Sequence, residues 1–486
     1  MGAATVLAAA GLTISIVLSV VSTPSKQPSP GSVDYGIMLD AGSSHTSINV
    51  FSWPQRNNRH LPLLHTANFS QGGGIETKEY LGKFTSDPSK AGDSLVPLLD
   101  WAKSHIPEDR YSRTYVHLGA TAGMRLVREQ DEQTAEAIMN SVRDTIASYP
   151  FNFQRADAKI IPGSLEGVYG WMTVNFLRGF LAGQDSANQS IAMDLGGAST
   201  QLTFVPDQPP TEDAHKICVF DECHQLYAHS YLGWGLGRAS AAADQALSAG
   251  ATTNVTDPCR PMGQADPQPG NASLYLVGGS NASGCLEVTT RLLNKDKCEG
   301  KKECGVDGVY QPMVPTGRDV AAFSGFYYPI KALSDSPAFN ITFTPTLAHL
   351  STIQQSLCAL ALPQLIADFP QAAPNYIVDY CFTVSYTLSL LEKGYGLSPD
   401  RAVIFTSQLD GEDVGWALGA MIMAENIIPW SESHHILQRP ASIALFITFG
   451  VLCVLGAVGA AFHYLKYRRS KNYSESLLPT EADSTI

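Results

Sequence analysis

The fold is decided by two stretches of similar pattern, YGIMLDAGSSHTSINVFSW at residues 35–53 and IAMDLGGASTQLTFV at residues 191–205. Each has an apolar run, an Asp-x-Gly group with small hydroxylated residues, and then alternating apolar and polar residues. This order predicts a strand, a tight turn and a second strand. When Asp40 is aligned with Asp194, the two copies lie about one domain length apart. The sequence therefore predicts a duplicated fold with two equivalent hairpins.

The two predicted turns have the composition of a phosphate clamp. Small residues bring backbone amides and hydroxyls close to a ligand, and such groups surround phosphate oxygens. The predicted donors are Ser43, Ser44, Ala198, Ser199 and Thr200. Asp40 and Asp194 would repel phosphate directly, but they suit a hard cation such as Mg²⁺ or Ca²⁺, held directly or through water. A single Asp-x-Gly turn is typical of any hairpin; the matched pair favours the clamp.

Two further stretches carry candidate site residues. Residues 115–126 read YVHLGATAGMRL, a short strand that opens into a turn containing Thr121 and followed by Arg125. Residues 159–177 read KIIPGSLEGVYGWMTVNFL, a strand, a turn and an apolar helix with Glu166 in its first turn. An acid at that position complements the helix dipole; alternatively, it deprotonates a water molecule in a cleft. Thr121 either caps a turn or binds the ligand.

Composition limits the classes of partner. The chain has 486 residues, enough for two or three domains, and 44% of them are hydrophobic whereas 16% are charged, which excludes a disordered chain. The 32 Lys and Arg residues are outnumbered by 45 Asp and Glu residues, and no long basic run occurs outside the C-terminal tail. This balance excludes a nucleic-acid partner. A small anionic substrate would need a cation.

Uncharged apolar segments lie near both ends of the chain. Residues 441–462 carry no charge and precede Lys466, Arg468 and Arg469, which predicts a membrane span with a short cytoplasmic tail. Residues 2–25 are also uncharged; a retained span is favoured because a basic leader is missing, and a cleaved signal peptide is the alternative. Either arrangement places residues 34–439 outside the cytosol.

Cysteines and glycosylation sequons agree with export. Eight of the nine cysteines lie between the apolar segments, and an even number in an exported region predicts disulfides rather than a zinc site. The simplest pairing by spacing, among many that are possible, is Cys218–Cys223, Cys259–Cys285, Cys298–Cys304 and Cys358–Cys381. Sequons predict surface glycosylation at Asn68, Asn188, Asn254, Asn271, Asn281 and Asn340.

The stretches, taken in order, resemble the apyrase signature regions of the ecto-nucleoside triphosphate diphosphohydrolases, or ecto-apyrases. DAGSSHT at residues 40–46 is similar to the first region, GATAGMR at 119–125 to the second, the segment around Glu166 to the third and DLGGASTQ at 194–201 to the fourth. DVGWALG at 413–419 is similar to a fifth. The similarity extends from about Tyr35 to Pro429, and the two terminal segments match the cell-surface branch.

The resemblance implies an α/β fold of the actin, hexokinase and heat-shock ATPase superfamily, with two lobes, duplicated mixed sheets and nucleotide between them. Residues 1–32 would form the N-terminal membrane segment and linker. Lobe I would comprise 33–162 and 407–437, and lobe II 163–406. A C-terminal transmembrane helix would occupy 441–463, followed by a cytoplasmic tail at 464–486.

The resemblance also implies roles for individual residues. Glu166 would be the general base, acting on a water molecule aligned by Ser199 and Gln201, and no covalent intermediate would form. Asp40 and Asp194 would hold Ca²⁺ or Mg²⁺ through water. The nucleotide's phosphates would be bound by Ser43, Ser44, His45, Thr121, Gly197, Ala198, Ser199, Thr200 and Gln201. Tyr328 and Tyr380 would stack on the base, although adjacent aromatic residues in an apolar run are also typical of core packing.

The predicted function is hydrolysis of the terminal phosphates of extracellular nucleoside tri- and diphosphates by a two-span plasma-membrane enzyme. The spans are a possible oligomer contact, and an internal lumenal membrane is the alternative location. The alternative functions are phosphate transfer to an acceptor within the same superfamily and a catalytically silent receptor ectodomain. Gly233, Gly235 and Gly237 form a spaced glycine run that lacks the full dinucleotide-binding fingerprint, and no function is predicted for it.

Overall fold

A computed structural model describes residues 33–55, 64–69, 72–181, 188–219, 222–268 and 271–427, together with helical residues 454, 457–459 and 461–469. The described residues from 33 to 427 belong to one compact unit. Residues 56–59 and 429–486 form a second unit, of which only the helical residues just named are described.

The first sheet is built around the first predicted hairpin. Its strands run in the order β3-β2-β1-β5-β6, and β4 also pairs with β2. β1 is antiparallel to β2 and parallel to β5, so the sheet is mixed. The strand bounds are β1 Val33–Ala41, β2 Thr46–Pro54, β3 His65–Thr66, β4 Gly74–Thr77, β5 Tyr115–Ala120 and β6 Ala158–Ile160. Helices α1 Val96–His105, α2 Ala122–Gln130 and α3 Glu132–Ala147 contribute buried residues to its core.

The second sheet repeats this arrangement around the second hairpin. Its order is β15-β14-β7-β8-β10-β9, where β7 is antiparallel to β8 and parallel to β14. The bounds are β7 Ile191–Leu195, β8 Ser199–Phe204, β9 Ala214–Val219, β10 Glu222–Leu232, β14 Val320–Ser324 and β15 Ile404–Phe405. Each central hairpin therefore has a parallel strand beside its first strand. The prediction of an α/β fold with two mixed-sheet domains is confirmed.

Smaller elements complete the second half of the chain. A three-stranded sheet contains β11 Val255–Asp257, β12 Ala265–Gln268 and β13 Asn271–Gly278, and a hairpin contains β16 Gln408–Leu409 and β17 Glu412–Asp413. The helices are α4 Gly163–Leu177, α5 Leu236–Ser248, α6 Ala282–Arg291, α7 Tyr327–Asp335, α8 Leu347–Cys358, α9 Leu362–Asp368, α10 Pro374–Ile377, α11 Tyr380–Leu388 and α12 Trp416–Ile427. One π-helical turn, Ser389–Gly394, extends α11.

Helices α4 and α12 pack together between the two sheets. A Cβ on Gly419 of α12 would lie 2.0 Å from the carbonyl oxygen of Tyr169 in α4, so a glycine is needed for this close approach. The Gly419 amide also donates to Thr173 Oγ1 at 2.8 Å. The surrounding apolar cluster takes Met38 from the first sheet and Phe323 from the second. This cluster contains residues of both predicted lobes. The lobe boundaries remain a prediction.

The structure contains the four disulfides that neighbour spacing favours: Cys218–Cys223, Cys259–Cys285, Cys298–Cys304 and Cys358–Cys381. Five sequon asparagines lie at exposed positions, namely Asn68, Asn188, Asn254, Asn281 and Asn340. Asn271 begins β13, and its side chain lies outside the description. Glycosylation at these positions remains a prediction.

Among the described residues, no helix combines the length and the apolar character that a membrane crossing requires. The predicted N-terminal span lies outside the described residues. Of the predicted C-terminal span, only residues 454, 457–459 and 461–463 are described.

Candidate active site

The turns of the two hairpins have the same internal hydrogen bond and face each other. The Gly42 amide donates to the His45 carbonyl at 3.0 Å, and the Gly196 amide donates to the Ser199 carbonyl at 2.9 Å. A Cβ on Gly197 would lie 2.8 Å from Ser43 Oγ. The structure therefore brings together two turns that are far apart in sequence. At Gly197 the turns are so close that a side chain there would contact Ser43.

Two of the three predicted acids lie on the first strands of these hairpins and have raised pKa values. Burial is the main cause of the raised pKa of Asp40, and the negative charges of Glu166 and Asp194 add to it, whereas a hydrogen bond from Trp416 opposes it. Burial and the charge of Glu166 raise the pKa of Asp194 to about 7, against a hydrogen bond from Ser324. Both carboxyls therefore favour a bound proton or a cation.

The donor set around Asp40 and Asp194 fits a hydrated divalent cation. Asp40 Oδ1 is buried and accepts no hydrogen bond from the described part of the chain. Carboxylate oxygens are the ligands that Ca²⁺ and Mg²⁺ prefer. No group of three or more His, Cys, Asp or Glu residues within the described ranges could hold a metal ion. A cation here would accordingly complete its shell with water and with substrate oxygens.

Glu166 is buried in the first turn of α4 and is paired with Arg125. Arg125 Nη1 donates to Glu166 Oε2 at 2.8 Å, and Nη2 donates to Ser199 Oγ at 3.0 Å. The side chains of Arg125 and Glu166 are 7% and 9% exposed, so this ion pair is largely removed from solvent. Burial raises the pKa of Glu166, whereas the Arg125 charge lowers it. Arg125 thus favours the ionised carboxylate that a general base needs.

The Gln201 amide connects the residues around Glu166. Its Nε2 lies 3.3 Å from Glu166 Oε2, 2.8 Å from Ser199 Oγ and 2.9 Å from Ser230 Oγ. Its Oε1 is buried and accepts no hydrogen bond from the described residues. An amide has two hydrogens and one acceptor oxygen, so the described residues satisfy the donor side of Gln201 but not Oε1.

The predicted phosphate ligands differ in how accessible their side chains are. Ser44 and His45 are exposed, and their side chains contact each other at 3.1 Å. The Thr121 side chain is buried and makes no capping hydrogen bond to α2, and phosphate binding by Thr121 remains a prediction. The Thr200 hydroxyl already contacts the Asp194 carbonyl at 2.7 Å and Tyr395 Oη at 2.8 Å. Phosphate binding by Thr200 would therefore depend on its backbone.

The two predicted base-stacking residues lie in different surroundings. Tyr328 is 68% exposed at the start of α7, and its pKa is raised by burial of part of the side chain and by the charges of Glu76 and Asp413. Those two acids belong to predicted lobe I, so Tyr328 faces it. The Tyr380 ring packs edge-on against Phe369 at 5.1 Å. Within the described residues, no ring contact joins Tyr328 to Tyr380.

The sequence analysis assigned no role to several residues that contact the site. Arg125, Trp416, Ser324 and Ser230 each contact a predicted site residue. Three acids predicted at one site require a compensating cation, and this charge argument could have selected Arg125. Ser324 has a positive φ of 57°, which only the backbone coordinates reveal. No sequence signal distinguishes Ser230 from an ordinary strand residue.

Comparisons with known proteins identify the family of this chain. Residues 26–439 match the GDA1/CD39 (nucleoside phosphatase) family. The chain is 35% identical over 456 residues to ectonucleoside triphosphate diphosphohydrolase 2 of Rattus norvegicus, covering 87% of this chain and 88% of that protein. It is 30% identical to ectonucleoside triphosphate diphosphohydrolase 8 of Bos taurus over 474 residues, covering 90% and 92%.

A solved structure has a similar fold. The crystal structure of nucleoside triphosphate hydrolases from Neospora caninum matches with a TM-score of 0.60 at 15% identity, covering 88% of this chain and 98% of that one. This likeness supports an α/β fold of two mixed-sheet domains. The chain belongs to the GDA1/CD39 nucleoside phosphatase family and is a nucleoside phosphatase.

Replacement of Arg125 by alanine should change the pH dependence of phosphate release. Without the guanidinium, burial alone acts on Glu166, its pKa rises further, and the acidic limb of the kcat/KM profile moves to higher pH. Arg125→Lys retains the charge but not the forked donors, so its acidic limb should stay near that of the wild type while kcat falls. Superimposable acidic limbs for the wild type and Arg125→Ala would contradict this role.

Cation affinity should increase with pH up to about 7. Below the raised pKa of Asp194 the cation must displace a proton, so its binding is weaker there and releases protons. Calorimetric titration with Ca²⁺ in buffers of different ionisation enthalpy measures that release. Ser324→Ala removes a hydrogen bond that lowers this pKa, so the midpoint should move upward. Affinity that is independent of pH, with no proton release, would rule out the two carboxyls as the site.

Proposed function

We propose that this enzyme removes the terminal phosphate from nucleoside triphosphates and diphosphates, with Ca²⁺ or Mg²⁺ as cofactor. One observation carries the proposal: the two turns face each other at Ser43 and Gly197 while Asp40 and Asp194 lie beside the buried Glu166. Amides and hydroxyls would surround phosphate oxygens, and the acids would hold the cation through its water shell. When bound, the cation supplies neutralisation of phosphate charge.

The residues around Glu166 suit the activation of water. Glu166 would take one proton from the water molecule as its oxygen attacks the terminal phosphorus, and the bridging oxygen would leave with the nucleotide. Gln201 would help to align the water, because its Nε2 lies 3.3 Å from Glu166 Oε2 and 2.8 Å from Ser199 Oγ. Ser199, fixed by Arg125 at 3.0 Å, would complete the alignment. Attack by water needs no covalent phosphoenzyme, and positioning supplies most of the rate enhancement.

The other ligand contacts and the architecture complete the proposal. Ser43, Ser44, His45 and Thr121 would bind phosphate from the first lobe, and residues 197–201 from the second. Tyr328 would stack on the base from its exposed position, with Tyr380 opposite. The superfamily would be that of actin, hexokinase and heat-shock ATPases, with lobe I at 33–162 and 407–437 and lobe II at 163–406.

We further propose a plasma-membrane enzyme with two spans and its catalytic domain outside the cell. The four disulfides and the exposed sequon positions support an oxidising compartment. Extracellular ATP would be converted to ADP and then AMP, and the spans would provide any contact between copies.

Glu166→Ala should bind nucleotide but release phosphate roughly 10²–10⁴-fold more slowly, because a positioned base contributes about that factor. Glu166→Gln is the closer replacement, since an amide oxygen can still accept from Arg125. Glu136→Gln is the matched control, because Glu136 is an exposed residue paired with Arg143 on α3. Single-turnover phosphate release and binding of a non-hydrolysable triphosphate separate the two effects. Wild-type turnover in Glu166→Ala would remove this residue from the mechanism.

Intact cells that express the full chain should release phosphate from added ATP and from added ADP. A membrane-impermeant chelator should abolish the release, because the cation site would face the medium. Cells expressing Glu166→Ala at equal surface level provide the background. Release only after permeabilisation would contradict the surface location, and release only with an added acceptor would indicate a phosphotransferase. No release from either nucleotide under any condition would indicate a silent receptor.

A further inference from the structure

We infer that residues 233–238, Gly-Trp-Gly-Leu-Gly-Arg, form a backbone cradle that positions the second phosphate turn for its ligand. This segment contains the run of spaced glycines for which the sequence pattern predicts no function. It connects the end of β10 to α5 and lies directly against residues 196–199. The inference rests on the proposed function only for the identity of the ligand.

The cradle is hydrogen-bonded to the turn at residues 196–198, whereas the Ser199 carbonyl accepts from the Gly196 amide inside the turn. Three backbone amides of the cradle donate to three consecutive carbonyls of the turn. These bonds are Gly233 to Ala198 at 2.8 Å, Leu236 to Gly196 at 2.9 Å and Arg238 to Gly197 at 3.1 Å. The amides of Leu236 and Arg238 belong to the first turn of α5, where amide groups have no partner inside the helix. The turn and the helix thus satisfy each other's backbone groups.

This arrangement leaves the amides of the turn available to an anion. Because the three carbonyls point back to the cradle, the peptide N–H groups between them are directed away from it. In the described ranges, the amides of Gly197 and Ala198 donate to no backbone carbonyl. Successive amides that point to one side form an anion-binding nest. Donors fixed before the ligand arrives need no reorganisation during the reaction.

Gly235 and Gly237 are required because a side chain at either position would lie too close to the turn, and not because of their backbone dihedral angles. Gly235 has φ −69° and ψ 159°, which any residue can adopt. A Cβ on it, however, would lie 2.3 Å from the Ala198 nitrogen and 2.4 Å from the Ser199 nitrogen. A Cβ on Gly237 would lie 3.2 Å from the Gly197 carbonyl oxygen. Only Gly233 has a positive φ, 95°, that itself favours glycine.

The cradle is anchored on its other side by Trp234. The Trp234 carbonyl accepts a hydrogen bond from Tyr386 Oη at 2.7 Å, and its indole Nε1 donates to the Leu292 carbonyl at 3.2 Å. Tyr386 is fully buried in the second domain's core. The position of the turn is thereby tied to that core through the cradle.

Two glycine substitutions test the cradle against a general effect on stability. Gly235→Ala must displace the turn backbone, and a displacement of about 1 Å costs on the order of 10²-fold in kcat/KM. Gly237→Ala needs a smaller shift and lies inside α5, where alanine is the better helix former. Its thermal midpoint should therefore hold or rise while kcat/KM for Mg-ATP falls. Opposite changes in stability and activity would not arise from a merely structural glycine.

Gly250→Ala is the control, because Gly250 follows α5 with φ 70° and nothing within 4 Å of its Cβ position. It should lose stability without a change in kcat/KM. Hydrogen exchange of the full-length protein without nucleotide gives a second measurement that does not depend on activity. The peptide covering 195–201 should exchange faster in Gly235→Ala and Gly237→Ala than in the wild type or Gly250→Ala.

Magnesium tripolyphosphate identifies the ligand class without a nucleoside. It should slow exchange of residues 195–201 in the wild type and do so less in the two cradle variants. Unchanged exchange and unchanged kcat/KM in Gly235→Ala would overturn the cradle. If the wild type releases no phosphate but the exchange differences appear, the proposed function fails and the cradle stands.

Discussion

The structure depends on three buried carboxylates placed beside a single guanidinium. The charge of Glu166 raises the pKa of both Asp40 and Asp194, and among the described residues Arg125 is the one cation paired with any of the three acids. A protein interior does not hold such unbalanced charge without protons or a cation. The arrangement divides the acids by role, because Arg125 favours an ionised Glu166 whereas the pKa values of the two aspartates remain raised. That division suits the proposed cation site at the aspartates and the proposed base role of Glu166.

The duplicated hairpin explains how the acids come together. In each sheet, the first hairpin strand carries an aspartate and has a parallel strand on its outer side. The hydrogen bonds that lower the pKa values of the two aspartates differ. Trp416 of α12 contacts Asp40, whereas Ser324 of β14 contacts Asp194. Helices α4 and α12 pack together between the sheets, with their backbones in close contact at Gly419. The repeat provides the two turns of the proposed clamp, whereas the unrepeated helix α4 carries Glu166 and packs with α12 between the sheets.

Much of this could be predicted from the chain. The hairpins and Glu166 in the first turn of a helix follow from local pattern, because strand alternation, turn residues and helix starts are encoded within a few residues. The mixed sheets followed from the family resemblance. The role of Thr200 was less predictable. Its sequence neighbours are those of a phosphate turn, but its hydroxyl faces the core and contacts Tyr395, which is 195 residues away. Tyr380 likewise has a partner that its neighbours in sequence do not indicate, because its ring packs edge-on against Phe369 at 5.1 Å.

By itself, the sequence determined the pair of acidic turns, the even set of cysteines and the family resemblance, since all three are properties of residues close together or of their number. Only the tertiary structure decided that Arg125 contacts Glu166 across 41 residues, that Gln201 keeps a free acceptor oxygen, and that the glycines at 233, 235 and 237 lie against a turn rather than a dinucleotide. The physical reason is that hydrogen bonds and close backbone approach depend on how distant segments pack. A sequence pattern specifies which polar and charged groups are present, and packing determines which of these groups contact each other.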